Sequence, residues 1–374
     1  MSHPNFEDCR LTTMTLVITL IGSVNLEEAF ALLPITHLDI DPPKRQKKKF
    51  ELPNCQIPGA ILSMRYREDT RGIVRSTNSK YFKNSITIDL STKIKNVSIK
   101  LSKTKIQMCG ASSEEVGRLG AQHLIDHLLQ IQDEIDYINA NKEVAKKTVE
   151  WLANCTKGKP IDRPVYREEK TTIIGDDGME YEQTRQVFSH NEKEFKPVVP
   201  EKIDQAPDAR IAQFLIKKIA EFEYHSYFCN EIEWIINIEK VASKDLAINK
   251  INKAMVNYNY NVGFKVDRYK LCELMRGRNG FFASYDNCVE HCVKIKLPYQ
   301  PKDDEDKVRK KSKVPCHCFL VYRSGVVTQT GPGDEEMKRA YEKFWDNIAE
   351  IKDSIKIEDE PAPEPRKIVI IRRR

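Results

Sequence analysis

Long apolar runs are missing from this 374-residue chain, and so are the short motifs that carry enzyme chemistry. The uncharged stretch Leu11–Val24 is too short to span a bilayer, and it has neither the basic leader nor the small-residue cleavage site of a secretion signal. No membrane partner is expected. The ten cysteines are scattered and show no C-x-x-C pair, so reduced thiols and an intracellular compartment are expected. There is no G-x-x-x-x-G-K-[ST] loop, no G-x-S-x-G and no H-E-x-x-H. Nothing supports an enzyme, and neither a catalytic residue nor a cofactor is expected. Hydrophobic residues at 40% beside 31% charged describe a lean core under a busy surface. The net charge of +6 is mild for this length, so the distribution of charge must decide whether nucleic acid is a partner.

What the chain does contain is a repeat. Asn96–Leu129 reads as two short strands and a long amphipathic helix, and a related stretch begins at Cys316. At a constant offset of 221, Gly110 falls on Gly331, Glu114 and Glu115 on Glu335 and Glu336, and Arg118 on Arg339. Ile99 then matches Leu320, Leu101 matches Tyr322, Ile106 matches Val327 and Val116 matches Met337. An internal duplication implies two stacked copies of one supersecondary unit.

In chain order, the β-branched run Thr12–Val24 reads as a strand, and Asn25 caps a short helix over Leu26–Leu33. After Pro42-Pro43 comes the basic run Lys44–Lys49, which suits a solvated loop, a phosphate contact or an import signal. Residues 69–95 lengthen a hairpin. The following helix starts at Ser112 or Ser113, with Ser112 and Glu115 at capping-box spacing, and Val116, Gly120, Leu124 and Leu128 form its apolar stripe. Lys142–Asn154 reads as a helix, Thr171–Val187 as a hairpin around Gly175-Asp176-Asp177-Gly178, and Asp208–Ser243 as one long or two shorter helices. The expected division is 12–136 and 251–354 for the two copies, an inserted α/β module at 142–250, and a charged, disordered tail at 355–374.

Several motifs together resemble the TATA-binding protein family, including its divergent members in large DNA viruses. QIPGAI at Gln56–Ile61 is similar to that family's QFPGLI, MRYRE at Met64–Glu68 to its MRIRE, and CGASSEEVGRL at Cys109–Leu119 to its TGAKSEEQSRL. In the second copy FFASY at Phe281–Tyr285 resembles QFSSY, and FLVYRSGVVTQTG at Phe319–Gly331 resembles LLIFVSGKIVLTG. The resemblance implies an α+β saddle: two pseudo-symmetric repeats form one curved antiparallel sheet, with the helices on its convex face. The stripes from Val116 and over Met337, Tyr341, Phe344 and Ile348 would pack on that sheet as core.

The resemblance also implies a binding site in place of catalysis. Family members bind A·T-rich promoter DNA in the minor groove, kink it with four Phe wedges, and recruit a factor IIB-like protein and RNA polymerase. Carried over by motif, the wedge positions are Ile57, Leu101, Val289 and Tyr322, none of them Phe. The groove-floor positions are Gln107, Cys109, Thr328, Thr330 and Asn257, with Asn259 as defensible as Asn257, and Thr13 nearest to the Asn missing from the first copy. Arg65, Arg67, Lys105, Lys294 and Arg323 are the phosphate-contact candidates. The second reading is a protein–protein adaptor or virion component that keeps the saddle and has lost specific bending. For a viral protein the expected location is the host nucleus or a cytoplasmic factory, with packaging in the virion as a further option. Cys288, His291, Cys292, Cys316, His317 and Cys318 invite a zinc reading. A hairpin closing at 298 and 315 would set Cys316 opposite Leu297 and Cys318 opposite Ile295, about 10 Å from Cys292 and too far for shared coordination. No metal is expected.

Overall fold

Alternation of buried and exposed positions generates most of the strands. A computed structural model describes residues 5–36, 55–73, 82–174, 180–288, 290–299 and 315–358. The basic run Lys44–Lys49, Val289, the Asp303–Asp306 stretch and the tail from 359 lie outside the described residues. The elements are, in order, β1 (Arg10–Ile21), α1 (Leu26–Leu32), β2 (Ile61–Tyr66), β3 (Asp69–Gly72), β4 (Ile86–Ser91), β5 (Asn96–Ser102), β6 (Lys105–Ala111) and α2 (Glu114–Ala140). There follow α3 (Lys142–Cys155), β7 (Lys157–Ile174), β8 (Glu180–Pro197), α4 (Ala209–Ile216), α5 (His225–Ile235) and β9 (Ala247–Asn261). The last are α6 (Arg268–Met275), β10 (Phe282–Ser284), β11 (Cys292–Pro298), β12 (Cys316–Tyr322), β13 (Val326–Gly331) and α7 (Asp334–Ile355).

The chain divides into two compact units. The first takes the described residues of Met1–Ile21, Ile35–Leu124 and Ala247–Arg374, and the second takes Gly22–Pro34 and Ile125–Leu246. This differs from the expected boundaries. The division falls inside α2 after Leu124, β9 starts at Ala247 instead of 251, and α1 belongs with the intervening module. The reason for the last is local pairing: the Asn25 N–H donates to Val241 O at 2.8 Å, and Val24 bridges Ala242.

The first unit is built on one sheet in the order β10-β11-β12-β13-β9-β1-β6-β5-β4-β2-β3. All of its pairings are antiparallel. Read outward from β9, the order β9-β13-β12-β11-β10 repeats β1-β6-β5-β4-β2, with β3 added beyond β2. One face of the sheet is apolar and buried under helices. Phe319 of β12 stacks on Phe344 of α7, with centroids 4.5 Å apart and planes 7° apart. Met337, Tyr341, Phe344 and Ile348 are all buried. Buried Gln329 ties β13 to α7: its Nε2 donates to Met337 O at 2.8 Å, and its Oε1 accepts from the Tyr260 hydroxyl at 3.2 Å. Burial pushes the Tyr341 hydroxyl far above the usual phenol range.

The start of α2 covers the first half of the same face. Its cap is Ser113, whose Oγ accepts from Val116 N at 3.2 Å, so the expected Ser112–Glu115 box is displaced by one residue. Val116, Gly120 and Leu124 are buried as the stripe requires. At Gly120 an added Cβ would lie 3.2 Å from Met108 Cε, 3.2 Å from Val97 Cγ2 and 3.3 Å from Thr92 Cγ2.

The hairpin of β11 and β12 is closed by Tyr299 N–H donating to Pro315 O at 3.0 Å. Pairing therefore runs Pro298–Cys316, Leu297–His317 and Lys296–Cys318, one residue from the expected register. Cys292 faces Tyr322, which places its backbone four residues, about 13 Å, along the ladder from that of Cys318.

In the second unit, α3 matches its expected span, and the 208–243 segment resolves into two shorter helices, α4 and α5. Asp208 caps α4 through Oδ1, 3.0 Å from Ile211 N. The expected hairpin is present but much longer, pairing Lys157 with Pro197 through to Ile174 with Glu180. Cross-strand ion pairs line it, among them Arg163–Glu192 at 2.5 Å, Lys193–Asp162 at 2.9 Å and Lys170–Glu182 at 3.2 Å.

Filling the tight contact under α2 gives a first test. Gly120→Val is expected to lower the unfolding free energy by about 1–3 kcal/mol through overpacking. Leu119→Val on the exposed neighbour should stay within about 0.5 kcal/mol. Urea midpoints at constant m check both.

Candidate nucleic-acid interface

Because strand side chains alternate, the sheet's second face carries a different set of residues, and the register determines which ones. At the centre, Thr330 of β13 pairs with Asn257 of β9, which pairs with Thr13 of β1. The mirror row is Cys109 of β6, Thr15 of β1 and Met255 of β9. The next row on the β13 side is Thr328–Asn259, and on the β6 side Gln107–Val17. Farther out lie Lys294 and Lys296 of β11, Lys100 of β5, and Lys105 beside Thr19 and Lys250. Hydroxyls and amides thus occupy the middle and lysines flank them. In the first unit the helices' buried contacts lie on the opposite face, where Leu16 and Met108 approach α2 and Phe319 meets α7.

The central polar groups are only partly satisfied. Asn257 Nδ2 donates to Thr13 Oγ1 at 2.8 Å, and Thr15 Oγ1 donates to the exposed Cys109 Sγ at 3.7 Å. Asn257 Oδ1 and Asn259 Oδ1 are buried without a hydrogen-bond partner. Both atoms are acceptors, so a donor, water or ligand, is what would satisfy them.

The expected groove-floor residues Gln107, Cys109, Asn257, Thr328 and Thr330 are brought together on this face, and Asn259 joins them. The β1 partner changes. Since Thr330–Asn257 corresponds to Cys109–Thr15, the position equivalent to Asn257 in the first half is Thr15, not Thr13.

Leu101 is a clear correction. It is 0% exposed and pairs with Ile106 on the helix side of the sheet. The cause is loop length. β12 and β13 pair Val321 with Val327, and Gly325 takes φ +84 in the turn between them. β5 and β6 pair Ser102 with Lys105 and leave only Lys103 and Thr104 between. The constant offset of 221 therefore holds for β6 but becomes 220 in β5, and one residue of slip exchanges the faces. Ser102 occupies the place corresponding to Tyr322, and Lys100 the place corresponding to Leu320. Tyr322 itself lies half-exposed on the outer face, and Ile57, 54% exposed, sits in the turn before β2.

The basic candidates separate by position. Arg65 and Lys105 lie on the outer face, Arg65 in the row Arg65–Thr87–Lys100. Arg67 has φ 53 at the β2–β3 turn, with its guanidinium 4.9 Å from the Tyr66 ring centroid, and Arg323 is exposed in the β12–β13 turn. Lys294 forms an ion pair with Glu290, whose carboxyl is held below the usual range by the lysine while the ammonium is raised in turn. Thr15, Lys100, Lys250 and Lys296 were missed from sequence. The available signal was Thr104 at the place where the second hairpin needs Gly325. Among the described residues no three His, Cys, Asp or Glu side chains are placed to hold a metal ion.

The first unit is thus an antiparallel sheet with one helix-covered apolar face and one polar, lysine-flanked face. No protein-family model matches the sequence, and no curated protein matches it. Among solved structures, a TBP of Methanococcus jannaschii is similar over 92% of this chain and 99% of that chain, at 11% identity and a TM-score of 0.34. A similarity of that size describes the architecture no further than the strand order does. No described helix is long and apolar enough to cross a membrane.

Substitution separates the two faces. Leu101→Ala is expected to cost about 2–5 kcal/mol of stability as a buried truncation. Ser102→Ala should stay within about 0.5 kcal/mol. Chemical denaturation of the two variants checks the register; equal effects would reject it.

Proposed function

We propose that the outer face of the first unit binds double-stranded DNA through the minor groove, and that the chain is a transcription-initiation factor of the TATA-binding type. The observation that carries this is the central strip of Asn257, Asn259, Thr13, Thr15, Thr328, Thr330 and Gln107 between flanking lysines. A minor groove offers acceptors on A·T pairs and an added donor on G·C, so short amides and hydroxyls suit its floor. Lysines at the margins suit the phosphates, where they set affinity and salt dependence. The repeated strand order and the resemblance of both copies to the TATA-binding family support the same reading, with a saddle-shaped sheet and an A·T-rich promoter as target. A factor IIB-like protein and RNA polymerase are the partners in this proposal, and the site of action is intracellular.

One observation favours the adaptor reading. With Ser102 in place of a ring, the first half carries no aromatic side chain at the position where the second carries Tyr322. Such a protein binds salt-sensitively without bending.

Anisotropy and end-to-end energy transfer on A·T-rich and G·C-rich duplexes, across a salt series, discriminate the two. The expected result is an A·T preference, a bend, and a log K against log salt slope of about −0.9 for each phosphate neutralised. Binding with neither preference nor bend would reject the proposal in favour of the adaptor. Asn257→Ala is expected to lower A·T-duplex affinity about three- to tenfold. Glu290→Gln releases Lys294 and should raise affinity while steepening the salt slope by about 0.9.

A further inference from the structure

The phenylalanines of the first unit are unevenly placed. Phe6, Phe264, Phe281, Phe319 and Phe344 pack into or against its cores. Phe82 and Phe282 do not: they are 51% and 61% exposed. Both lie at the outer face, and each has a lysine beside it. Lys100 Nζ, from the outer-face row of β5, lies 3.8 Å from the Phe82 ring centroid. Phe282 pairs directly with Lys296 in the row that continues through Cys318 and Thr330 to Asn257. The two rings therefore flank the amide–hydroxyl strip, one from each half. Seven strand spacings separate β5 from β10, which is about 34 Å along the sheet, close to one turn of duplex.

We propose that Phe82 and Phe282 are the aromatic wedges of the DNA-binding face, standing in for the ring that the shortened β5–β6 hairpin has lost. The inference rests on the duplex-binding reading above. A wedge needs an apolar side chain exposed in the free protein, close to the groove floor and held by its surroundings, with phosphate-seeking charge next to it. Leu101 fails the first requirement and Ser102 is too small and polar. Phe82 and Phe282 meet it, and the neighbouring lysines supply the charge. Lys100 over the Phe82 ring also holds that side chain in place through a cation–π contact. The sequence separation of the two rings explains why no repeat alignment pairs them: Phe82 precedes β4, whereas Phe282 lies on β10.

The experiment uses the full chain and an A·T-rich duplex carrying 2-aminopurine at successive steps, with end-to-end energy transfer as a second readout. Wild-type protein should brighten two positions roughly one duplex turn apart. Phe82→Ala should remove one signal and Phe282→Ala the other, each with a reduced bend and about a tenfold or greater loss of affinity. Phe→Leu at either site should restore part of the bend. Because both side chains are exposed, the variants should keep the wild-type melting temperature, and Tyr166→Ala in the second unit serves as the unaffected control. If wild type binds and bends while the double variant does both equally well, the wedge assignment is overturned and duplex binding stands. If wild type binds no duplex, both fall. Tighter binding to single strands that depends on both rings would make them stacking platforms and reject the kinking role.

Discussion

The pairing of β1 with β9 governs the rest of the first unit. Among the described residues it is the one ladder that joins the two halves, and it sets which residues of each half meet at the centre. Bulges between Leu11 and Thr13, between Thr15 and Leu16, and between Thr19 and Leu20 let two long strands stay paired along their length. With Thr13 opposite Asn257 and Thr15 opposite Met255, the further rows follow by alternation as shifted at these bulges, so that Asn252 and Lys250 of β9 face Val17 and Thr19. A slip of one residue here would turn Leu16 and Ile18, both fully buried, to the outer face, so apolar burial on the helix side fixes the polar arrangement on the other.

That dependence runs one way. The helix side must fill space, and its residues agree between halves: Ile106 with Val327 and Val116 with Met337 are buried at equivalent positions. The outer side meets no such demand, and there the halves differ, with Lys100 against Leu320 and Ser102 against Tyr322. Even shared residues are retained for different reasons. Gly110 has φ +93 and a Cβ there would meet only Asn96 O, at 3.8 Å, while Gly331 sits where a Cβ would meet Met337 Sδ at 2.2 Å and His317 Nδ1 at 2.5 Å. Matching glycines in a repeat are therefore weaker grounds for matching geometry than matching burial.

What the sequence made legible follows the same line. The strand β1, the cap of α1 at Asn25, the span of α3 and the buried stripe of α7 were readable because each rests on local propensity or on apolar periodicity. The β7–β8 ribbon was read at less than half its extent because it has ion pairs such as Arg163–Glu192 on its surface in place of an apolar alternation. The register of β5 was misread because an ungapped alignment cannot record a turn that is one residue shorter. Gln107, Cys109, Asn257, Thr328 and Thr330 share one face because they sit on β6, β13 and β9, beyond the slip. Lys100, Lys250 and Lys296 became visible only when cross-strand partners were known, since a single lysine in a strand carries no label of its face.

On the proposed reading of the outer face as a duplex-binding surface, its energetics turn on its aromatic side chains more than on its charge. Lysines neutralising a handful of phosphates support weak, salt-sensitive association by themselves. Bending a site costs about 1–6 kcal/mol, and unstacking a step costs a few more. The unpartnered Oδ1 acceptors of Asn257 and Asn259 can return on the order of 1 kcal/mol each when a donor satisfies them, too little to drive a kink. Stacking on a ring returns about 1–3 kcal/mol per base. Tyr322 alone falls short of the cost, whereas three rings distributed over both halves approach it. In the proposed duplex complex, a symmetric kink would thus depend on an aromatic contact from the first half. Phe82 is the described side chain placed to make it.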